Sequence, residues 1–338
     1  MNYSFKFCKI KESSYQNPSF NPNYIIMIRR QFLSLTAAGV TAAALDVNMS
    51  ASAKAEDAVQ DAPKRKRPIL NQFHRGAGNY RPENTLETFL WAWGSGGIPE
   101  ADARFTADKV AIACHDGDLA RCSHGVPESM RKTPIAELTW EQIRDVNIGE
   151  YRGEAFKTEK IPTMESVFAC MKGRPDRMLY IDEKGMPPQL MAEMSEAYGV
   201  QEQIIFASSK YDIIKEWKKT APKAKSIHWI PTLKDPVQAV AKLTPYLEML
   251  DKASFEGIDI CQIHTFCDFS RPDPYSPTSE FLRHAGETMK KHGVIFQSLS
   301  WTNGDKAETY YGLIDLGVES FATDYPIEFM AAIEKLEP

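Results

Sequence analysis

His74-Arg75-Gly76, Pro82-Glu83-Asn84-Thr85, Pro99-Glu100-Ala101-Asp102 and Ala113-Cys114-His115-Asp116 follow one another within a single stretch of this chain. A short apolar run over 69–73 leads into His74, a helical pattern occupies 85–93, and a second extended run over 99–105 carries Glu100 and Asp102. Strand, helix, strand is one βα unit of a parallel sheet. Residues two apart on a strand point to the same face, so Glu100 and Asp102 present their carboxylates together. Such a pair suits a hard divalent cation, calcium or magnesium. His74 and His115 have free pKa values near neutrality and are candidate proton carriers. Arg75 offers a planar fork of donors that matches a phosphate. These are the parts needed to cut a phosphate ester.

Outward from this stretch the alternation continues. Candidate strands lie at 69–73, 99–105, 178–183, 204–207, 226–230, 257–263, 294–298 and 320–322, and helical patterns at 85–93, 163–171, 188–198, 210–220, 236–250, 279–292 and 306–316. Eight strands with intervening helices predict an α/β fold, a (β/α)8 TIM barrel. An open doubly wound sheet is the alternative, and the lack of a Gly-rich phosphate loop after the first strand counts against it. A short extra strand over 110–114 leads into His115. Residues 118–160 form a polar insertion after the second βα region with its own short helix at 139–146, and 265–278, rich in proline, forms a second loop. The candidate residues all fall at carboxyl ends of strands, where barrel chemistry resides.

Composition bounds the function further. The chain has 338 residues, 43% hydrophobic and 25% charged, an ordinary globular mixture. Formal net charge is −5; the six cations and two acids before Glu56 give +4, so the remainder carries −9. That balance argues against a nucleic-acid surface, and Lys64-Arg65-Lys66-Arg67 reads as a solvated linker. Six cysteines show no metal-ligand spacing; Cys114 or Cys122, and Cys261 with Cys267, are candidates for a disulfide.

Near the start, Arg29-Arg30-Gln31-Phe32-Leu33 resembles a bacterial twin-arginine signal. A mild apolar run over 32–45 follows, then small residues at Ala51-Ser52-Ala53-Lys54-Ala55 for a signal peptidase. A bilayer span needs about 20 apolar residues; no stretch reaches that, so no stable membrane insertion is expected. The expected organisation is an N-terminal extension and export signal over 1–55, a linker over 56–67 and a barrel domain over 68–335. Met27, just ahead of the arginine pair, is a second candidate start. The expected location is periplasmic or secreted, reached through the twin-arginine export machinery.

Downstream stand Ile161-Pro162-Thr163-Met164-Glu165, Ile181-Asp182-Glu183-Lys184, Trp301-Thr302-Asn303, Gly317-Val318 and Thr323-Asp324-Tyr325-Pro326. With the first stretch, and in this order over about 68–330, they resemble the glycerophosphodiester phosphodiesterase family. The resemblance implies a metal-dependent barrel enzyme that hydrolyses a small-molecule glycerophosphodiester to an alcohol and glycerol 3-phosphate, using one divalent cation. It implies His74 and His115 as the acid–base pair, in either order, and Glu100, Asp102 and Asp182 as metal ligands. Arg75 and Lys184 are implied as phosphate-binding residues and Trp301 as a substrate contact. Period two puts Asp182 and Lys184 on one face and Glu183 on the other; Glu183 stays the rival ligand. The family usually has glutamate where this chain has Asp182, one methylene shorter, which calcium tolerates better than magnesium.

Glu83 and Asn84 are expected to shape the first loop, and Asp116 to orient the loop beside His115. His124, His228, His264, His284 and His292 lack a motif and read as structural or surface residues. Two other functions compete. One is a phospholipase-D-like lyase that forms cyclic phosphate from lysophospholipids; the polar insertion, with Arg121, Glu128, Arg131 and Lys132, favours the soluble substrate over it. The other is a non-catalytic periplasmic binding protein on the same barrel.

Overall fold

Alternation along the strands governs the architecture of the computed structural model, which describes residues 70–336. The signal with Arg29-Arg30, the Met27 start, and the 56–67 linker lie outside the described residues. Among the described residues the strands are β1 (Leu70–Phe73), β2 (Ile98–Phe105), β3 (Ala111–Ala113), β4 (Leu179–Glu183), β5 (Ile204–Ser208), β6 (Lys225–Ile230), β7 (Ile260–Cys267), β8 (Tyr275–Ser276), β9 (Ile295–Ser300) and β10 (Ser320–Thr323). Eight run parallel in the order β1-β2-β4-β5-β6-β7-β9-β10, and β10 pairs back onto β1. The sheet is therefore closed, as a (β/α)8 barrel requires. β3 and β8 are antiparallel additions to β2 and β7.

The helices are α1 (Leu86–Gly94), α2 (Glu128–Arg131), α3 (Trp140–Ile143), α4 (Met164–Met171), α5 (Pro188–Tyr198), α6 (Tyr211–Thr220), α7 (Pro236–Lys252), α8 (Ser279–Lys291), α9 (Ala307–Asp315) and α10 (Pro326–Glu334). Their starts are written in the sequence. Thr85, Thr163, Asp235 and Thr278 each accept a backbone N–H three residues on, which satisfies an otherwise unpaired donor of the first turn. Proline opens α5, α7 and α10, where its missing N–H costs nothing.

Outward-facing strand residues build the main core against the helices: Ile181, Phe206, Cys261, Ile263, Phe296 and Phe321 pack with Phe168, Trp217, Leu282 and Phe329. Phe206 stacks on Trp217 with centroids 4.6 Å apart. Each such side chain contributes about 1.5–3 kcal/mol by leaving water. Inside the barrel, Tyr180, Ile205, Ala207, Ile227 and Ile260 form a smaller cluster. Beside them lies a polar network in which Gln297 donates to Tyr180 Oη and Ser320 Oγ and accepts from Gln262.

Several elements differ from the sequence reading. β7 begins at Ile260 and not at 257, because Ser254, Phe255 and Gly257 all have positive φ and form a turn. β7 also extends to Cys267 and pairs with β8, so only part of 265–278 is loop. The helix expected over 139–146 is the single turn α3, and α2 and α10 have no counterpart in the sequence reading. Cys114, Cys122, Cys170, Cys261 and Cys267 are free thiols. The stretch 118–160 packs its own core from Leu119, Ile135, Leu138, Ile143, Val146 and Ile148 against Ile112 of β3 and Ile161.

Candidate active site

Period two carries one face of every parallel strand into the barrel, and toward the carboxyl ends of β1, β2, β4 and β7 this face is polar. β2 contributes Glu100 and Asp102, β4 contributes Asp182 with Lys184 just beyond it, and in register Asp102 lies beside Asp182. Glu100, Asp102 and Asp182 are all buried, and each offers an oxygen within 4.8 Å of the others. Burial pushes the Asp182 carboxyl up against the pull of Lys184, and the charges of Asp102 and Glu100 add to the rise. Burial acts on Asp102 in the same sense, but Lys184, His115, Asn84 and Arg75 outweigh it and hold that carboxyl below its ordinary range. Three crowded carboxylates with hard oxygen donors fit a divalent cation, which would relieve their repulsion.

The supporting bonds are specific. Asn84, at φ 55, accepts from the Asp102 backbone N–H at 2.9 Å and donates to its carboxylate at 2.8 Å. Trp229 Nε1–H donates to Asp182 Oδ1 at 3.1 Å. Lys184 Nζ lies among the carboxylates, bonded to Asp182 and 3.3 Å from Asp102. Glu183, the rival ligand, points the other way and takes bonds from Ser208, Lys210 and the Gly185 N–H.

Both histidines stand at the same mouth, each with a carboxylate on Nδ1. His74 Nδ1 meets Asp324 Oδ1 at 2.7 Å, while its Nε2 lies 3.9 Å from Glu100. Burial alone would lower the His74 pKa; Glu100 and Asp324 overcome this and raise it to about 9. His115 Nδ1 meets Asp116 Oδ1 at 2.7 Å, and its Nε2 faces Arg75 Nη2 at 2.9 Å. A guanidinium has only donors, so His115 Nε2 is the acceptor and Nδ1 carries the proton.

Arg75 also reaches Glu83, at 3.2 Å. Arg121, from the insertion, grips both oxygens of Glu83 at 2.6 and 2.7 Å and donates Nε–H to Asp116 at 2.7 Å. Tyr151, also in the insertion, accepts the Glu83 N–H at 2.9 Å. Trp301, 41% exposed, sets its ring edge-on to His74 at 5.8 Å. Its Nε1–H donates to His264 Nδ1 at 3.2 Å, and His264 stacks on Trp229 at 5.3 Å.

A cavity of about 320 Å³ opens among these groups, lined by His74, Arg75, Glu100, His115, Asp182, Lys184 and Trp301. The structure thus brings the sequence-derived candidates together at one mouth, with Asp102 directly behind. His264 and Trp229, to which the sequence reading gave no role in the site, line the same cavity. Both sit on inward-facing positions of β6 and β7, and that parity was the signal available for them. Asp324 was legible only as part of a motif, and Arg121 only as a polar residue of the insertion.

Residues 74–328 match the sequence profile of the glycerophosphoryl diester phosphodiesterase family. A glycerophosphodiester phosphodiesterase of Caldanaerobacter subterraneus is 26% identical over 272 residues, covering 78% of this chain and 96% of the relative. Among solved structures, a glycerophosphodiester phosphodiesterase from Agrobacterium tumefaciens superposes with a TM-score of 0.57 at 20% identity, covering 78% of this chain and 100% of that one. A phosphodiesterase from Oleispira antarctica, solved with its product sn-glycerol-3-phosphate, gives 0.58 at 18% identity, covering 78% and 96%. With most of its length matched to the family profile, this chain belongs to the glycerophosphoryl diester phosphodiesterase family and is, with it, a phosphoric diester hydrolase.

Proposed function

We propose that this protein hydrolyses small glycerophosphodiesters to an alcohol and glycerol 3-phosphate, with one divalent cation and two histidines. The observation that carries the reading is the convergence of three buried carboxylates, two carboxylate-oriented imidazoles and a guanidinium on one cavity. Glu100, Asp102 and Asp182 are the residues to hold the cation, Ca2+ or Mg2+; when bound it polarises a phosphoryl oxygen and neutralises developing charge. Arg75 and Lys184 flank the same space and are the proposed contacts to the remaining phosphate oxygens.

His115 Nε2, an unprotonated acceptor in this arrangement, takes the proton from the attacking oxygen. His74, held by Asp324, donates from Nε2 to the departing alkoxide. Trp301, whose ring stands edge-on beside His74, is the proposed contact to the substrate at the mouth of the cavity.

A panel of glycerophosphocholine, glycerophosphoethanolamine and lysophospholipids, with products identified by phosphorus NMR, tests the substrate and the reaction together. Glycerol 3-phosphate from the first two, and little turnover of the lipids, is the expected result. Cyclic phosphate from lysophospholipids would instead favour the lyase, and ligand binding without turnover would favour the binding protein.

We further propose export through the twin-arginine route, on the strength of Arg29-Arg30 and the small residues that follow. Replacing both arginines by lysine should keep the precursor in the cytoplasm in a fractionation experiment; undisturbed export would remove this proposal.

A further inference from the structure

Gln72 is 4% exposed and lines the cavity together with His74, Glu100 and Asp182, yet its Oε1 is buried with no hydrogen-bond partner among the described residues. Its neighbours in the barrel interior are treated differently. Gln262 donates to Gln297 and accepts from His264 Nε2 at 3.1 Å, and Gln297 donates to Ser320 at 2.8 Å and Tyr180 at 3.2 Å. A buried acceptor left unmade costs about 1–3 kcal/mol, and an apolar side chain of similar shape avoids that cost. An unpaired amide oxygen on the inward face of β1, two residues before His74, thus weakens the fold unless something that enters the cavity pairs with it.

We propose that Gln72 is a specificity-determining residue whose amide receives a hydroxyl of the glycerol half of the ester at the inner end of the cavity. This rests on the glycerophosphodiester reading above. Glycerophosphodiesters share their glycerol and differ in the other alcohol. The constant half therefore belongs at the inner end, among fixed strand residues, and the variable half toward the exposed Trp301 and Pro231. A site built to hydrogen-bond a hydroxyl rejects analogues that lack it, because its own polar group then stays unpaired.

The test compares, by calorimetry on the full chain, binding of glycerol 3-phosphate and of n-propyl phosphate, which has the same carbon skeleton without the hydroxyls. The wild type should prefer glycerol 3-phosphate roughly 10- to 100-fold. Gln72→Met and Gln72→Leu should bring the two ligands to within about threefold of each other, with melting temperatures no lower than the wild type's. Equal affinities in the wild type would overturn the proposal, as would a preference that survives both substitutions. So would a drop in melting temperature with the preference intact, which marks Gln72 as structural. Turnover of glycerophosphocholine is measured alongside. A wild type that cleaves it but shows no hydroxyl preference sinks this inference alone, whereas one that cleaves no glycerophosphodiester sinks the functional reading beneath it.

Discussion

Each imidazole at the mouth is aimed by a carboxylate, and for His115 that carboxylate is itself held from the insertion. Arg121 bonds Asp116 and Glu83, Asp116 bonds His115, and Glu83 bonds Arg75. Removing Arg121 therefore loosens a proposed proton carrier and a proposed phosphate contact at once. Arg121→Ala should lower kcat toward glycerophosphocholine by about 10- to 100-fold, since small misplacements of reacting groups cost that much. Arg121→Lys should recover little, because one ammonium cannot reproduce the fork that spans Glu83 and Asp116. Steady-state kinetics decide the matter, and an unchanged kcat contradicts it. At this scale, what a strand's parity fixes was readable from sequence: Glu100 with Asp102, and Asp182 with Lys184 but away from Glu183. What depends on chain closure was not. Asp324 meets His74 across 250 positions because β10 pairs with β1, and Trp229 reaches Asp182 across 47 because β5 alone separates their strands.

The insertion behaves as a structural element in its own right. Its apolar residues cluster around Ile143, which is fully buried, and α3 starts with a capping box between Thr139 and Gln142. Sequence reading found a polar segment with one short helix and missed this core, because its apolar residues follow neither a helical nor a strand period. Ile143→Ala should cost about 2–5 kcal/mol locally, the usual range for such truncations. Amide hydrogen exchange should then quicken across 118–160 while strands β4 to β10 keep their protection. Uniform loss of protection over the barrel would show instead that the insertion and barrel unfold as one. Strong caps, as at Thr85 and Thr163, made helix starts legible; the positive-φ turn before β7 left no such mark.

At the scale of the whole molecule, eight parallel strands close into a barrel whose outer faces pack largely apolar residues on the helices, while β1, β2, β4 and β7 bring polar inner residues to the cavity. Alternating runs and helical periods sufficed to predict that closure. The depth of the cavity, and which inner residues lack partners, required the register of every strand. We propose that the carboxylate trio works through a cation on a phosphodiester within this closed barrel. The most direct measurement is phosphorus NMR of glycerophosphocholine incubated with the purified protein, first with added Ca2+ or Mg2+ and then with excess chelator. The diester signal should be replaced by that of glycerol 3-phosphate with the cation present and should persist under chelation. Cleavage that continues undiminished in excess chelator, or a diester left intact under both conditions, would contradict the account.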